Sequence, residues 1–368
     1  MLPADRAVIV PSSPVAAPSS PATPRRWPRP IACGLSLWTL NATWDDLLSI
    51  SVTAEALGYA HVWVSDHLCA PFGDPFQPVA EAWTTLAALA ATTSRLRLGV
   101  LVSANTFRHP ALVAKMAVTV DGISHGRAIL GLGAGWFELE HSVFGLRFGS
   151  SAGERSQWLS ESVSVLHDLL DGREVTRHGS YELTGARCVP GPLHGRMPIM
   201  IGGRGMRQTL RIAATHADMW NAFGSPADFE VRMPMLQRYC EAAGRDVKDI
   251  DISVGAQVIL RDTREAALAA YAERARLNGM ANHPRLTSER VWLGTPREVA
   301  ERLQRYTDVG VRTFIVEMAV PHDPETLERF VTEAVPLAST ARAPPRWPCR
   351  GRIVRLPLTP GSLASKNQ

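Results

Sequence analysis

The stretch LRLGVLVSANTFRHPALVAKMAVTVDGISHGRAILGLG, Leu96 to Gly133, decides the fold. It opens on the aliphatic, β-branched run Leu96–Val102, which reads as a strand. Small and polar residues follow from Ser103 to His109. Pro110 then starts an Ala- and Val-rich run to Ile123, a helix with proline in its first turn. After Ser124-His125-Gly126 comes a second apolar run, Arg127–Leu132. Strand, helix and strand in direct succession form a βαβ unit, whose right-handed crossover sets the two strands parallel.

The same alternation continues on both sides. Upstream lie a strand at Ile31–Leu37, a helix at Asp45–Leu57 stopped by Gly58, a strand at Ala60–Ser65 and a helix at Glu81–Thr93. Downstream, Glu154–Asp171 is an amphipathic helix with Leu159, Val163, Leu166 and Leu170 on one face. Arg173–Val189, with Gly179 and Gly185, reads as a hairpin insertion. Strands follow at Pro198–Ile201, Ala217–Asn221, Ile250–Ala256 and Thr313–Met318. Helices are expected at Gly205–Thr215, Pro226–Ala243, Arg264–Leu277, Pro296–Thr307 and Pro324–Val335, with Gly279–Arg290 irregular. Eight strand–helix units predict an α/β protein, a (β/α)8 TIM barrel with an insertion after strand 4. The rival is a doubly wound open sheet. Its GxGxxG turn is missing after the first strand, which runs instead into Leu-Trp-Thr-Leu-Asn-Ala-Thr.

Charge and proline divide the 368-residue chain into three expected segments: tails at 1–30 and 341–368, and a folded unit at 31–340. The overall charge is +4, but Arg6, Arg25, Arg26 and Arg29 against Asp5 give the first segment +3. Five Arg and one Lys without an acid give the last segment +6, which leaves −5 on the middle. The ends also hold 13 of the 27 prolines, so neither is expected to form a helix or ladder. A mildly acidic body argues against nucleic-acid binding. The five scattered cysteines contain no CxxC, and disulfide or zinc scaffolding is not expected. No run of some 20 apolar residues could span a membrane. Arg25-Arg26 before Ile31–Leu40 imitates a twin-arginine export signal, but Trp-Pro-Arg-Pro intervenes and the run is needed as the first strand. The expected location is the cytoplasm.

In a barrel of this kind, chemistry gathers after the C-terminal ends of the strands. Ser65-Asp66-His67 follows the second strand. His67 could carry a proton with Asp66 orienting it, or could simply bond to backbone. Ser103 and Asn105 follow the third strand and could bond a ring's polar edge, or serve the cap of the Pro110 helix. Gly131-Leu132-Gly133-Ala134-Gly135-Trp136 follows the fourth strand. Its glycines could admit a flat ligand, Trp136 could wall a pocket, and Glu140 sits one turn on. Gly202-Gly203-Arg204-Gly205 follows the fifth strand and opens a helix, a setting that suits phosphate. His61 lies inside a strand and reads as a packed residue. The histidines lack metal-ligand spacing, and GxSxG and P-loop motifs are absent.

Taken together, these motifs resemble the luciferase-like monooxygenase family, in its branch of deazaflavin (coenzyme F420)-dependent oxidoreductases. The resemblance rests on Ala54–Tyr59 with Val62–Leu68, Leu96–Gly99 with Arg108–Ala111 and Ala114-Lys115, Asp121–Arg127, Gly131–Trp136, Ile201–Gly203 and Ala217–Asn221, in family order. It implies a bacterial-luciferase-like barrel that binds F420, or alternatively FMN, in its mouth. It also implies a bulge with a non-prolyl cis peptide at Leu101-Val102-Ser103 supporting the ring. Asp66 and His67 would lie beside the deazaflavin. Gly133, Gly135 and Trp136 would flank the ring and its side chain, and Gly202, Gly203 and Gly205 would hold the phosphate. One departure is His125, where the family mostly has glycine in a turn that wants left-handed backbone.

The expected activity is hydride transfer between F420 and a small-molecule organic substrate, with His67 and Asp66 catalytic and Trp136 and Glu140 on the substrate side. The alternatives are an FMN-dependent monooxygenase and a non-catalytic flavin-binding barrel. No membrane or nucleic-acid partner is expected, although the basic tails could dock an acidic one. The resemblance allows a homodimer. Loops at 68–80, 173–197 and 279–292 are expected to set the substrate.

Overall fold

The computed structural model describes residues 31–281 and 289–339. The expected tails and residues 282–288 of the 279–292 loop therefore lie outside the described residues. Eight strands form the barrel: β1 (Ala32–Leu37), β2 (His61–Val64), β3 (Arg97–Val100), β5 (Ala128–Gly133), β8 (Ile199–Gly202), β9 (Met219–Ala222), β10 (Asp251–Leu260) and β12 (Thr313–Met318). They pair in parallel in the order β10-β12-β1-β2-β3-β5-β8-β9, and β9 closes the ring on β10. The helices outside are α1 (Trp44–Ala56), α2 (Ala82–Thr92), α3 (Pro110–Ile123), α5 (Ala152–Leu170), α6 (Gln208–His216), α7 (Pro226–Ala242), α8 (Arg264–Leu277), α9 (Pro296–Asp308) and α10 (Pro324–Arg329). A π-helical turn, Phe330–Ala334, and α11 (Val335–Ser339) complete the last crossover. After the fourth barrel strand stand α4 (Glu138–Val143) and, beyond α5, the antiparallel hairpin β6 (Val175–Arg177) and β7 (Leu183–Ala186). The (β/α)8 expectation and its insertion are met.

Three elements differ from the sequence reading. The third strand does not run unbroken from Leu96 to Val102. It ends at Val100, and a two-residue β4 (Ser103–Ala104) resumes pairing with β5, leaving Leu101 and Val102 between them. The seventh barrel strand continues past Ala256 to Leu260, where its end pairs with β11 (Val291–Gly294). That short run, Val-Trp-Leu-Gly, has no alternation to separate it from the approach to a helix. The sixth helix starts at Gln208 rather than Gly205, so the glycine turn stays outside it.

Period-two alternation builds two cores. Outward residues such as Leu35, Val62, Val64, Leu98, Leu130 and Ile201 pack under the helices. Inward residues Trp63, Ile129, Met200, Met219 and Ile315 fill the barrel itself. Gly99 makes room for Trp63, since a Cβ there would stand 2.3 Å from the indole. His61, below Trp63, is buried, and burial pushes its imidazole down to about 3, so it is neutral and packed. One inward step nearer the C-terminal ends, the layer changes to Ser36, Ser65, Gly133, Gly202, Asn221 and Glu317. Glycines and polar groups cannot fill that volume, so the barrel opens there. At the far end of the third crossover His125 has φ 57, the left-handed backbone its turn was expected to want.

Candidate active site

The opening is a cavity of about 810 Å³ at the C-terminal ends of the strands. Its walls come from the loops after β1, β2, β3, β5, β8 and β9. Of the residues singled out from sequence, Asp66, His67, Leu101, Val102, Gly133, Gly135, Trp136, Glu140, Gly202 and Gly203 line it. Ser103 and Asn105 are buried behind the wall, and Gly205 is exposed and does not line it.

His67 is held by a carboxylate, and that carboxylate is Glu140. Its Nδ1 lies 3.2 and 3.3 Å from the two carboxylate oxygens. Glu140 is buried and also accepts the backbone N–H of Leu68 at 2.9 Å. A carboxylate only accepts, so Nδ1 carries a hydrogen and Nε2 is left as the nitrogen that can gain or give up a proton. The ring stands edge-on to Trp136, with centroids 5.6 Å apart. α4 supplies Glu140. It is anchored by the neighbouring His141, whose ring nitrogens meet Phe137 O at 2.8 Å and Thr106 Oγ1 at 2.6 Å.

Asp66 was expected to orient His67, and the structure places it otherwise. Its carboxylate receives both arms of Arg108, at 2.7 and 3.0 Å, and the N–H of Ala104 at 2.9 Å. Arg108 also reaches Glu81, the side chain that caps α2. A side chain bound in this fork cannot turn to a ring on the next residue. Asp66 therefore ties the end of β2 to the loop after β3. Ser103 belongs to the same support, with its hydroxyl accepting Trp83 Nε1–H at 3.0 Å. Sequence reading had passed over Arg108 and Glu81 as site residues, because one sits in a loop and the other in a cap 27 residues apart in the chain.

The peptide Leu101-Val102 is cis. The Val102 side chain then packs beneath the cavity against two glycines. A Cβ on Gly133 would lie 2.4 Å from one Val102 methyl, and a Cβ on Gly202 2.7 Å from the other. Gly133 is expected from sequence to admit a flat ligand and Gly202 to hold a phosphate, yet their missing side chains are matched by Val102. Asn105 takes part from behind, accepting the Tyr181 hydroxyl from the insertion hairpin at 2.8 Å.

On the β8 side, Gly203 has φ 142, and Arg204 and Thr209 line the cavity. The first turn of α6 has no side-chain cap. The N–H groups of Gln208 and Thr209, the positive helix end and Arg204 together form a donor set suited to a phosphate group. Gly205 sits close to Thr209 and is not among the residues lining the cavity. Across the barrel, Trp38 and Phe72 stack with centroids 5.0 Å apart, and Glu317 and Arg290 meet at 3.5 Å. Neither pair was foreseen, since strand β12 gives Glu317 no motif context and Arg290 ends a segment read as irregular. Among the described residues no cluster of His, Cys, Asp and Glu could hold a metal ion. None of the described helices is long and apolar enough to cross a membrane.

Comparison with known proteins agrees with this architecture. An F420-dependent glucose-6-phosphate dehydrogenase of Microbacterium testaceum is 30% identical over 315 residues, covering 79% of this chain and 92% of its own. A pyrimidine monooxygenase of Methylorubrum extorquens is 34% identical over 195 residues, 52% of each chain. Among solved structures, an F420-dependent secondary alcohol dehydrogenase in complex with an F420-acetone adduct superposes with a TM-score of 0.74. It shares 20% identity over 84% of this chain and 99% of that one, a likeness of fold. The model of the luciferase-like monooxygenases matches residues 22–293, and the chain belongs to that family.

Proposed function

We propose that this protein is an F420-dependent oxidoreductase that moves a hydride to or from a small organic molecule. The observation that carries the reading is the cavity with His67 fixed at its side by Glu140, in a chain 30% identical to an F420-dependent dehydrogenase. The cavity, about 810 Å³, is within the usual range of cofactor pockets, roughly 300–1,000 Å³. Its donor set fits the group: Arg204, Thr209 and the open end of α6 for the phosphate, and the Val102 platform for the ring. When bound, the deazaflavin supplies a two-electron hydride donor or acceptor. The chain supplies the rest. Trp136 shields the site, Glu140 holds the His67 tautomer, and Nε2 of His67 takes up or returns the substrate proton. Asp66 contributes by fixing the loop after β3 and is a positioning residue. The same proposal places the enzyme in the cytoplasm as a homodimer, with residues 31–340 as its folded unit.

Titration of the protein with F420 and with FMN, followed by the absorbance of each, tests the cofactor. Tighter binding of F420 is expected. A preference for FMN together with oxygen uptake on addition of reduced FMN would instead support a monooxygenase, the reading that the pyrimidine monooxygenase relative favours.

A further inference from the structure

We propose that Glu317 is the substrate-selecting residue of this cavity: it accepts a hydrogen bond from the hydroxyl of an uncharged, largely apolar substrate and occupies Arg290, so that phosphorylated substrates are rejected. The proposal rests on the oxidoreductase reading above and names the substrate class for the same site.

Glu317 comes from the inward face of β12, at the level where the barrel changes from apolar filling to open cavity. Its side chain is 5% exposed and lines that cavity. A slot is kept for it on the neighbouring strand. A Cβ on Gly255 would lie 2.9 Å from Glu317 Oε1, so any larger residue at 255 would collide with the carboxyl. The charge it meets is Arg290, at 3.5 Å, longer than a well-formed ion-pair hydrogen bond. Carboxyl oxygens buried this deeply call for closer partners, and a substrate oxygen in the cavity can supply one. Paired with Arg290, the ionised carboxyl only accepts, so the substrate group it selects is a hydroxyl, which donates.

The surroundings set the rest of the substrate. The stacked Trp38 and Phe72 offer an apolar wall on the same side of the cavity. Arg290 is covered on one face by Phe223, with its guanidinium carbon 3.8 Å from the ring centroid, and faces Glu317 on another. A phosphate drawn to Arg290 would have to settle beside the Glu317 carboxyl, and like charges at such separation repel.

Calorimetric titration tests this on the full chain, with and without F420, using 2-octanol and glucose 6-phosphate against wild type, Glu317→Gln and Glu317→Ala. Wild type is expected to bind 2-octanol and to show no measurable glucose 6-phosphate binding. Glu317→Ala should weaken 2-octanol by ~10- to 100-fold, the worth of one hydrogen bond to a charged group. Glu317→Gln keeps the shape and frees Arg290, and glucose 6-phosphate should then bind measurably. F420 affinity should stay within a few-fold in both variants, which shows that the fold is intact. Tighter binding of glucose 6-phosphate than of 2-octanol to wild type would overturn the proposal, as would variants that leave both ligands unchanged. Failure of F420 to bind while this selectivity holds would sink the cofactor assignment and leave the selector role standing.

Discussion

Nδ1 of His67 lies 3.2 Å from the Glu140 carboxylate, joining the loop after the second barrel strand to a helix 73 residues later. The contact fixes both the ring's tautomer and its place at the cavity wall. Replacing His67 with Asn should lower kcat by about 10²- to 10⁴-fold, the usual worth of a general acid or base, with F420 affinity little changed. Stopped-flow reduction of the coenzyme measures it. An undiminished rate would remove His67 from proton transfer.

Glu140→Ala should be costlier to the fold than His67→Asn. It strands the half-buried N–H of Leu68 as well as freeing the ring. A loss of about 1–3 kcal/mol in unfolding free energy is expected, read from urea denaturation. Glu140→Gln retains an acceptor for one of the two groups and should fall between wild type and Glu140→Ala.

Val102 and the two glycines facing it should behave as one unit. Gly202→Ala places a methyl against Val102 and should weaken coenzyme binding and cost about 1–3 kcal/mol in stability. Val102→Ala removes the opposing methyls, so the double variant should recover part of both losses. Additive losses in a double-mutant cycle would show that the contact is not the cause.

Arg108→Ala should leave the Asp66 carboxylate buried without its partner. The side chain of Asp66 is fully enclosed, and breaking such a pair costs about 3–5 kcal/mol. Urea midpoints should show the drop, and Arg108→Lys, lacking the fork, should restore it only in part.

Asp251 sets a pH dependence far from the cavity. Burial pushes its carboxyl up to about 7, against the opposing hydrogen bond from Thr313 Oγ1 at 2.6 Å. As pH rises from the ordinary carboxylate range, the unfolded chain loses this proton first and the folded chain retains it. The folded state therefore loses stability up to about pH 7, after which this contribution levels off. Asp251→Asn should remove that slope, so its advantage over wild type grows between pH 4 and 7. Thermal melts of both proteins across that range check it, and parallel curves would refute the assignment.

The barrel was legible because its two periods are local. Eight apolar runs separated by helical stretches reach the same answer whatever the contacts are, and right-handed crossovers leave little choice of topology. The glycine turn after β8, the Ser-Asp-His after β2 and the left-handed turn at His125 are likewise written in adjacent residues. β11 escaped because four apolar residues carry no period.

What only the tertiary structure decided is which side chain serves which. Asp66 stands next to His67 in the chain, yet Arg108 claims it, and the histidine turns to Glu140. Gly133 and Gly202 had the look of ligand contacts, yet they face Val102. Glu317 had no motif at all and became part of the cavity only when β12 closed beside β1. Proximity along the chain fixes backbone geometry through dihedral preference and hydrogen bonding within an element. Partners for charged and buried groups are settled by distance in space, which depends on how all eight strands close.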